Sequence, residues 1–153
     1  MVDRTTDVPF QKAAEALLAG ESDVIANMAN IAALLYHSVP TINWVGFYRV
    51  SGRELVLGPF QGKPACIRIA HGKGVCGTAW AEDRTIRVHD VEAFPGHIAC
   101  DAASKSEVVV PLRRNGVVVA VLDVDSPVLG RFSDTDVTML ESIATLVERG
   151  CTW

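Results

Sequence analysis

The run Val117-Val118-Val119-Ala120-Val121-Leu122, preceded by Asn115-Gly116 and followed by Asp123-Val124-Asp125, is the feature that most constrains this chain. An apolar, largely β-branched run of this length suits a strand and is far too short to span a bilayer. Asn-Gly before it is a turn signal, so a second strand, Ser106 to Arg113, folds back beside it as an antiparallel hairpin. At 153 residues and 49% hydrophobic, the whole chain, 1–153, is expected to form one domain with a sizeable core. The net charge of −4 comes with scattered Lys and Arg, which leaves no basic stripe for a nucleic acid. The first nine residues are polar and charged, unlike a signal peptide, so a soluble cytoplasmic protein without membrane contact is expected.

The remaining elements fall on either side of this hairpin. Pro9 to Ala19 reads as a short helix, and Ser22 caps a longer one carrying Val24, Met28, Ile31 and Leu35 at helical spacing, which ends before Pro40. Strands follow at Asn43 to Val50, Arg53 to Leu57, Ile67 to Ala70 and Thr85 to Val88, the first two joined by Ser51-Gly52. Val75 to Glu82 is one or two helical turns. His89 to Ser104 has no period and reads as a long loop, a length usually kept for function. Ser133-Asp134-Thr135-Asp136 has capping-box spacing and opens a final helix, with Val137, Leu140, Ala144 and Val147 on one face and Gly150 as its stop. The layout is α+β, a central antiparallel sheet flanked by N- and C-terminal helices.

Three of the four cysteines lie in turn-rich segments: Cys66 after Pro64-Ala65, Cys76 within Gly72 to Gly77, and Cys100 at the end of Phe94-Pro95-Gly96-His97-Ile98-Ala99. Such settings suit thiol chemistry better than core filling. In a reducing cytosol a structural disulfide framework is not expected. Zinc sites favour close Cys-x2-Cys pairs, whereas here the intervals are nine and 23 residues, so redox chemistry is favoured over a structural metal. His97 either steadies a thiolate at Cys100 or orders loop backbone.

Asp123 and Asp125 interrupt the apolar strand. The plain reading is a strand emerging into solvent; the sharper one is a pocket lined by Glu107, Asp123 and Asp125. The two differ in register. A two-residue turn at Asn115-Gly116 places Glu107 opposite Val124, while a three-residue turn, Arg114-Asn115-Gly116, places it opposite Asp123 with Asp125 on the same face. The carboxylate grouping favours the three-residue turn. Clustered carboxylates raise at least one pKa, giving a site that can hold an ammonium and deliver a proton. Trp44, Gly46 and Tyr48 share one strand face, where the glycine leaves a slot between aromatic rings; a purely core tryptophan is the plainer alternative.

Asn-Trp-Val-Gly-Phe-Tyr (43–48), Leu-Gly-Pro-Phe-Gln-Gly-Lys-Pro-Ala-Cys (57–66), Gly-Lys-Gly-Val-Cys-Gly-Thr-Ala (72–79), Phe-Pro-Gly-His-Ile-Ala-Cys-Asp-Ala-Ala-Ser (94–104) and Val-Leu-Asp-Val-Asp-Ser (121–126) resemble the free methionine-(R)-sulfoxide reductases, each built on one GAF domain. The resemblance covers nearly the whole chain. It implies a GAF-like fold, Cys100 as catalytic cysteine, Cys66 as principal resolving cysteine and Cys76 as a second cysteine able to form a disulfide. It also implies Glu107, Asp123 and Asp125 as active-site acids, Asp90 as a further acid near the pocket, and Trp44 against the substrate methyl group; Tyr48, on the same strand face as Trp44, is expected to join it in binding substrate. The implied reaction is thioredoxin-dependent reduction of free methionine (R)-sulfoxide through a sulfenic acid and an intramolecular disulfide, with no cofactor or metal in the domain and a homodimer through the terminal helices. Two alternatives differ in class: a GAF module that senses a small molecule, and a thiol redox switch without turnover. Cys151 matches nothing in the family pattern.

Overall fold

The computed structural model describes residues 7–98 and 100–153. The polar start of the chain, residues 1–6, read above as unlike a signal peptide, lies outside the described residues. The elements are α1 (Asp7–Leu18), α2 (Val24–Ser38), β1 (Trp44–Ser51), β2 (Glu54–Gly62), β3 (Arg68–Ala70), α3 (Gly74–Glu82), β4 (Ile86–Val88), a 3-10 turn (Val91–Ala93), β5 (Ser106–Arg114), β6 (Val117–Ser126) and α4 (Asp134–Gly150). The six strands form one sheet in the order β3-β2-β1-β6-β5-β4, every neighbouring pair antiparallel. No helix among the described residues is long and apolar enough to cross a membrane.

Local chemistry sets the element ends. Asp23, not Ser22, caps α2: its carboxylate accepts from the Ala26 amide at 2.8 Å, while the Ser22 amide is held outside the helix by Glu21 Oε1 at 2.9 Å. The helix ends where Val39 turns extended before Pro40. Ser133 and Asp136 form the reciprocal capping box at the start of α4. The β1–β2 turn is Gly52-Arg53, one residue later than expected, and β2 continues past Leu57 to Gly62. It does so because Phe47 faces both Gly58 and Pro59, a bulge that absorbs the proline's missing donor.

Alternation along the central strands divides the core into two layers. Val45, Phe47, Val108, Val110, Leu122 and Val124 meet Met28, Ile31 and Leu35 of α2 and Leu140, Ile143 and Val147 of α4. The opposite face, with Trp44, Tyr48, Val109 and Val121, packs under α3 through Val75, Cys76 and Ala79. Strands β5 and β6 are thus covered on both faces, which is why β6 reads as an unbroken apolar run.

The hairpin register corrects the sequence expectation. Asn115 (φ 51°) and Gly116 (φ 77°) are both left-handed and form a two-residue turn with Arg114 opposite Val117. Yet Glu107 pairs with Asp125, neither with Asp123 nor with Val124. A bulge is the cause: Arg113 pairs with Val118 and Leu112 with Ala120, which leaves Val119 as an extra residue on β6. From there on the parity of β6 is reversed, and Glu107, Asp123 and Asp125 share the α3 face.

Candidate active site

Those three carboxylates line one cavity beneath α3 and the long loop. Its wall includes Trp44 and Tyr48 from β1, Gly74 to Cys76 at the start of α3, and His97, Ile98, Cys100, Asp101 and Ser104 from the long loop before β5. Glu107 and Asp123 are each only 6% exposed. Burial drives the Glu107 carboxyl up to about 8, helped by the charge of Asp125 and partly opposed by a hydrogen bond with Asp123. Burial likewise pushes Asp123 well above the usual carboxylate range, with Glu107 next in weight, and Asp125 too, with Asp123 and Asp101 adding to it. Three acids so placed cannot all ionise near neutrality, so the cluster keeps a proton available for transfer.

Over the acids, Cys66 and Cys100 are joined by a disulfide, their Cα atoms 5.6 Å apart. The bond ties the β2–β3 connection to the long loop. Tyr48, whose phenol burial holds in the protonated form, donates to the Cys66 carbonyl at 2.9 Å and anchors that side. The other side is held by a network that sequence reasoning missed. Asn43 donates to Asp101 Oδ2 at 3.2 Å and to Ser104 Oγ at 3.1 Å, while Asp101 Oδ1 accepts from the Ala103 amide at 2.9 Å. Asp-Ala-Ala-Ser following the cysteine carried the signal, since an Asp that closes a turn on its own downstream amides is a common loop device. His97 Nε2 lies 3.6 Å from Glu107 Oε2, so this histidine faces the acid; burial lowers its pKa.

Trp44 is 3% exposed, and its ring is stacked between Phe60 (5.3 Å between centroids) and Tyr48 (6.0 Å). Its indole N–H donates to the Lys63 carbonyl at 3.1 Å. A Cβ on Gly46 would lie 2.3 Å from Phe60 Cβ and 2.8 Å from the Trp44 ring. The space left by the glycine is therefore taken up by Trp44 and Phe60 and is not an open slot. Trp44 belongs both to the core layer and to the cavity wall.

Cys76 is placed otherwise than its glycine-rich surroundings suggest. It sits inside α3, 3% exposed and free, and burial with the nearby Asp123 charge pushes its thiol well above the ordinary value. Its sulfur and one carboxylate oxygen each of Glu107 and Asp123 all lie within 4.8 Å of one another. Asp90 is not in the cavity wall; it caps the 3-10 turn by accepting from the Glu92 amide at 3.0 Å. Cys151 lies at the end of α4, where Asn27 Nδ2 approaches its sulfur at 3.6 Å.

The sequence pattern of the GAF domain matches residues 19–150. The free methionine-R-sulfoxide reductase of Escherichia coli is 52% identical over 134 residues, covering 88% of this chain and 81% of that protein. The chain belongs to this reductase family. Among solved members, the free methionine-R-sulfoxide reductase of Neisseria meningitidis in complex with its substrate superposes with a TM-score of 0.91 at 46% identity, covering 94% of this chain and 87% of that one. The reduced form of the Staphylococcus aureus fRMsr gives 0.93 at 48% identity, covering 98% and 97%. Within the reductase-family fold, the structure brings Trp44, Tyr48, Cys76, Cys100, Glu107, Asp123 and Asp125 to one cavity, adds Cys66 through its bond to Cys100, and leaves Asp90 outside.

Proposed function

We propose that this protein reduces free L-methionine (R)-S-oxide to L-methionine, with Cys100 as nucleophile, Glu107 as proton donor and Cys66 as resolving thiol. The observation that carries the reading is a disulfide joining Cys100 to Cys66 beside a cavity lined by three carboxylates, two of them buried and the third, Asp125, half-buried. In the reduced protein the Cys100 thiolate attacks the sulfoxide sulfur, and Glu107 supplies a proton to the oxygen. The sulfoxide gains two electrons and leaves as the thioether, while Cys100 becomes a sulfenic acid. The Cys66 thiol then displaces water and forms the disulfide seen here. Thioredoxin, acting as a dithiol, attacks that bond and leaves with its own disulfide, restoring both thiols.

Selection for the free amino acid has a plain electrostatic basis. An ammonium group between Asp123 and Asp125 would draw out their ionised forms and pair with them, and methionine loses that group when it sits within a polypeptide. Lys73 and the first amides of α3 also line the cavity, and suit a carboxylate. The test is a coupled thioredoxin assay on separate R and S epimers of free methionine sulfoxide and on a peptide-bound sulfoxide. Turnover of the free R epimer alone is expected. Equal turnover of the peptide, or none of the free R epimer, would contradict the reading.

A further inference from the structure

We propose that Cys76, Glu107 and Asp123 form a binding site for a thiophilic divalent cation of the zinc class, overlapping the position assigned to the substrate ammonium. The intervals between cysteines argued against zinc only because they test for ligands from one local turn. Here the donors arrive from three elements, α3, β5 and β6, and converge within 4.8 Å of one another. Tetrahedral zinc with sulfur and oxygen ligands needs donor separations of roughly 3.5 Å, so a modest contraction of side chains completes the geometry.

Two further observations point to a cation. Asp123 Oδ1 is buried with no donor in hydrogen-bond geometry, on a residue 6% exposed that lines the cavity, and the polar neighbours of its carboxyl group are Glu107 and Cys76 themselves. An orphaned carboxylate oxygen in such surroundings is costly and is relieved by a metal ligand bond. Among the described residues no Lys or Arg pairs with Glu107 or Asp123; the one basic side chain within ion-pair range is His97, 3.6 Å from Glu107 Oε2. A divalent ion would neutralise the cluster and displace the Cys76 proton to solvent, and His97 or a water would supply a fourth ligand. A thiolate with two carboxylates and an imidazole suits zinc or cadmium and disfavours magnesium or calcium.

Cys76 takes no part in the Cys66–Cys100 bond, so the site exists in the disulfide form of the protein. Its existence does not depend on the proposed reaction; only its consequence, competition between metal and sulfoxide, does. The experiment is a titration of the disulfide form with Cd2+, read by the ultraviolet thiolate-to-cadmium band, and with Zn2+, read by calorimetry. One equivalent of each is expected, with a band that survives Cys151→Ser. Cys76→Ser should abolish the band and weaken Zn2+ binding by at least roughly tenfold. Asp123→Asn, a near-isosteric second variant, should weaken Zn2+ binding comparably while its circular dichroism stays native. Absence of binding, a band that vanishes with Cys151, or an isotherm unchanged in both Cys76→Ser and Asp123→Asn would overturn the proposal.

Discussion

Glu107 illustrates how a single residue takes its chemistry from its surroundings. On an exposed strand it would be an ordinary carboxylate near 4.5; under α3, beside Asp125, it holds its proton up to about 8. If it protonates the departing oxygen, the reduction step should be level through neutrality and fall about tenfold per pH unit above pH 8, where the acid form is lost. Glu107→Gln should slow that step by about 100-fold or more and remove the alkaline limb, with a smaller effect on binding. Pre-steady-state methionine release across pH decides this; equal losses in rate and affinity would make Glu107 a binding group. At this scale the residues themselves were informative, since acids interrupting an apolar strand and cysteines among turns both drew notice. What the sequence hid was burial. Cys76 resembles a loop thiol until α3 closes around it, and the Asn43–Asp101–Ser104 network joins segments about 60 residues apart.

Between elements, the β5–β6 hairpin decides where the acids point. The Asn115-Gly116 pair fits a two-residue turn because both positions are left-handed, and Gly116 has no Cβ to clash there. Gly116→Ala should therefore destabilise the protein by about 1–2 kcal/mol in urea melts, with turnover per folded molecule unchanged because the turn is remote from the cavity. An unaltered melt would mean that the turn relaxes to another type. The turn and both strands were legible in the residues, whereas the register was not. Grouping the acids by means of a three-residue loop reached the correct face with the wrong pairing. The bulge at Val119 that reverses parity lies within a run of valines, where no residue type marks it. The chain beyond Leu57 was misread for a related reason, because Pro59 signals the end of a strand unless a bulge receives it.

Across the whole molecule, one sheet serves two layers: α1, α2 and α4 cover one face with apolar packing, and α3 with the long loop roofs the other, where the acids are. Burying those acids sets how stability depends on pH. A carboxyl whose folded pKa lies above its unfolded value favours folding most at low pH, and that contribution is lost as pH rises from about 4.5 towards 8. Thermal melts should accordingly show Glu107→Gln gaining on the unmodified protein steadily over that window. A constant difference would mean that the carboxyl is not held protonated in the fold. The order of helices and strands, the antiparallel sheet and the two terminal helices were readable from periodicity and caps. The closure of loop on loop through Cys66 and Cys100 came only from the family resemblance, because chain intervals alone do not say which sulfurs meet.

The account turns on Cys100 taking oxygen from a sulfoxide inside an acidic cavity, and a single-turnover experiment addresses that directly. Fully reduced protein is mixed with the free R epimer in the absence of any external reductant, and methionine release, free thiols and the disulfide map are followed together. The prediction is about one methionine per chain, loss of two thiols and formation of the Cys66–Cys100 bond, all absent in Cys100→Ser. Methionine formed at an undiminished rate by Cys100→Ser, or disulfide formation without methionine release, would contradict it.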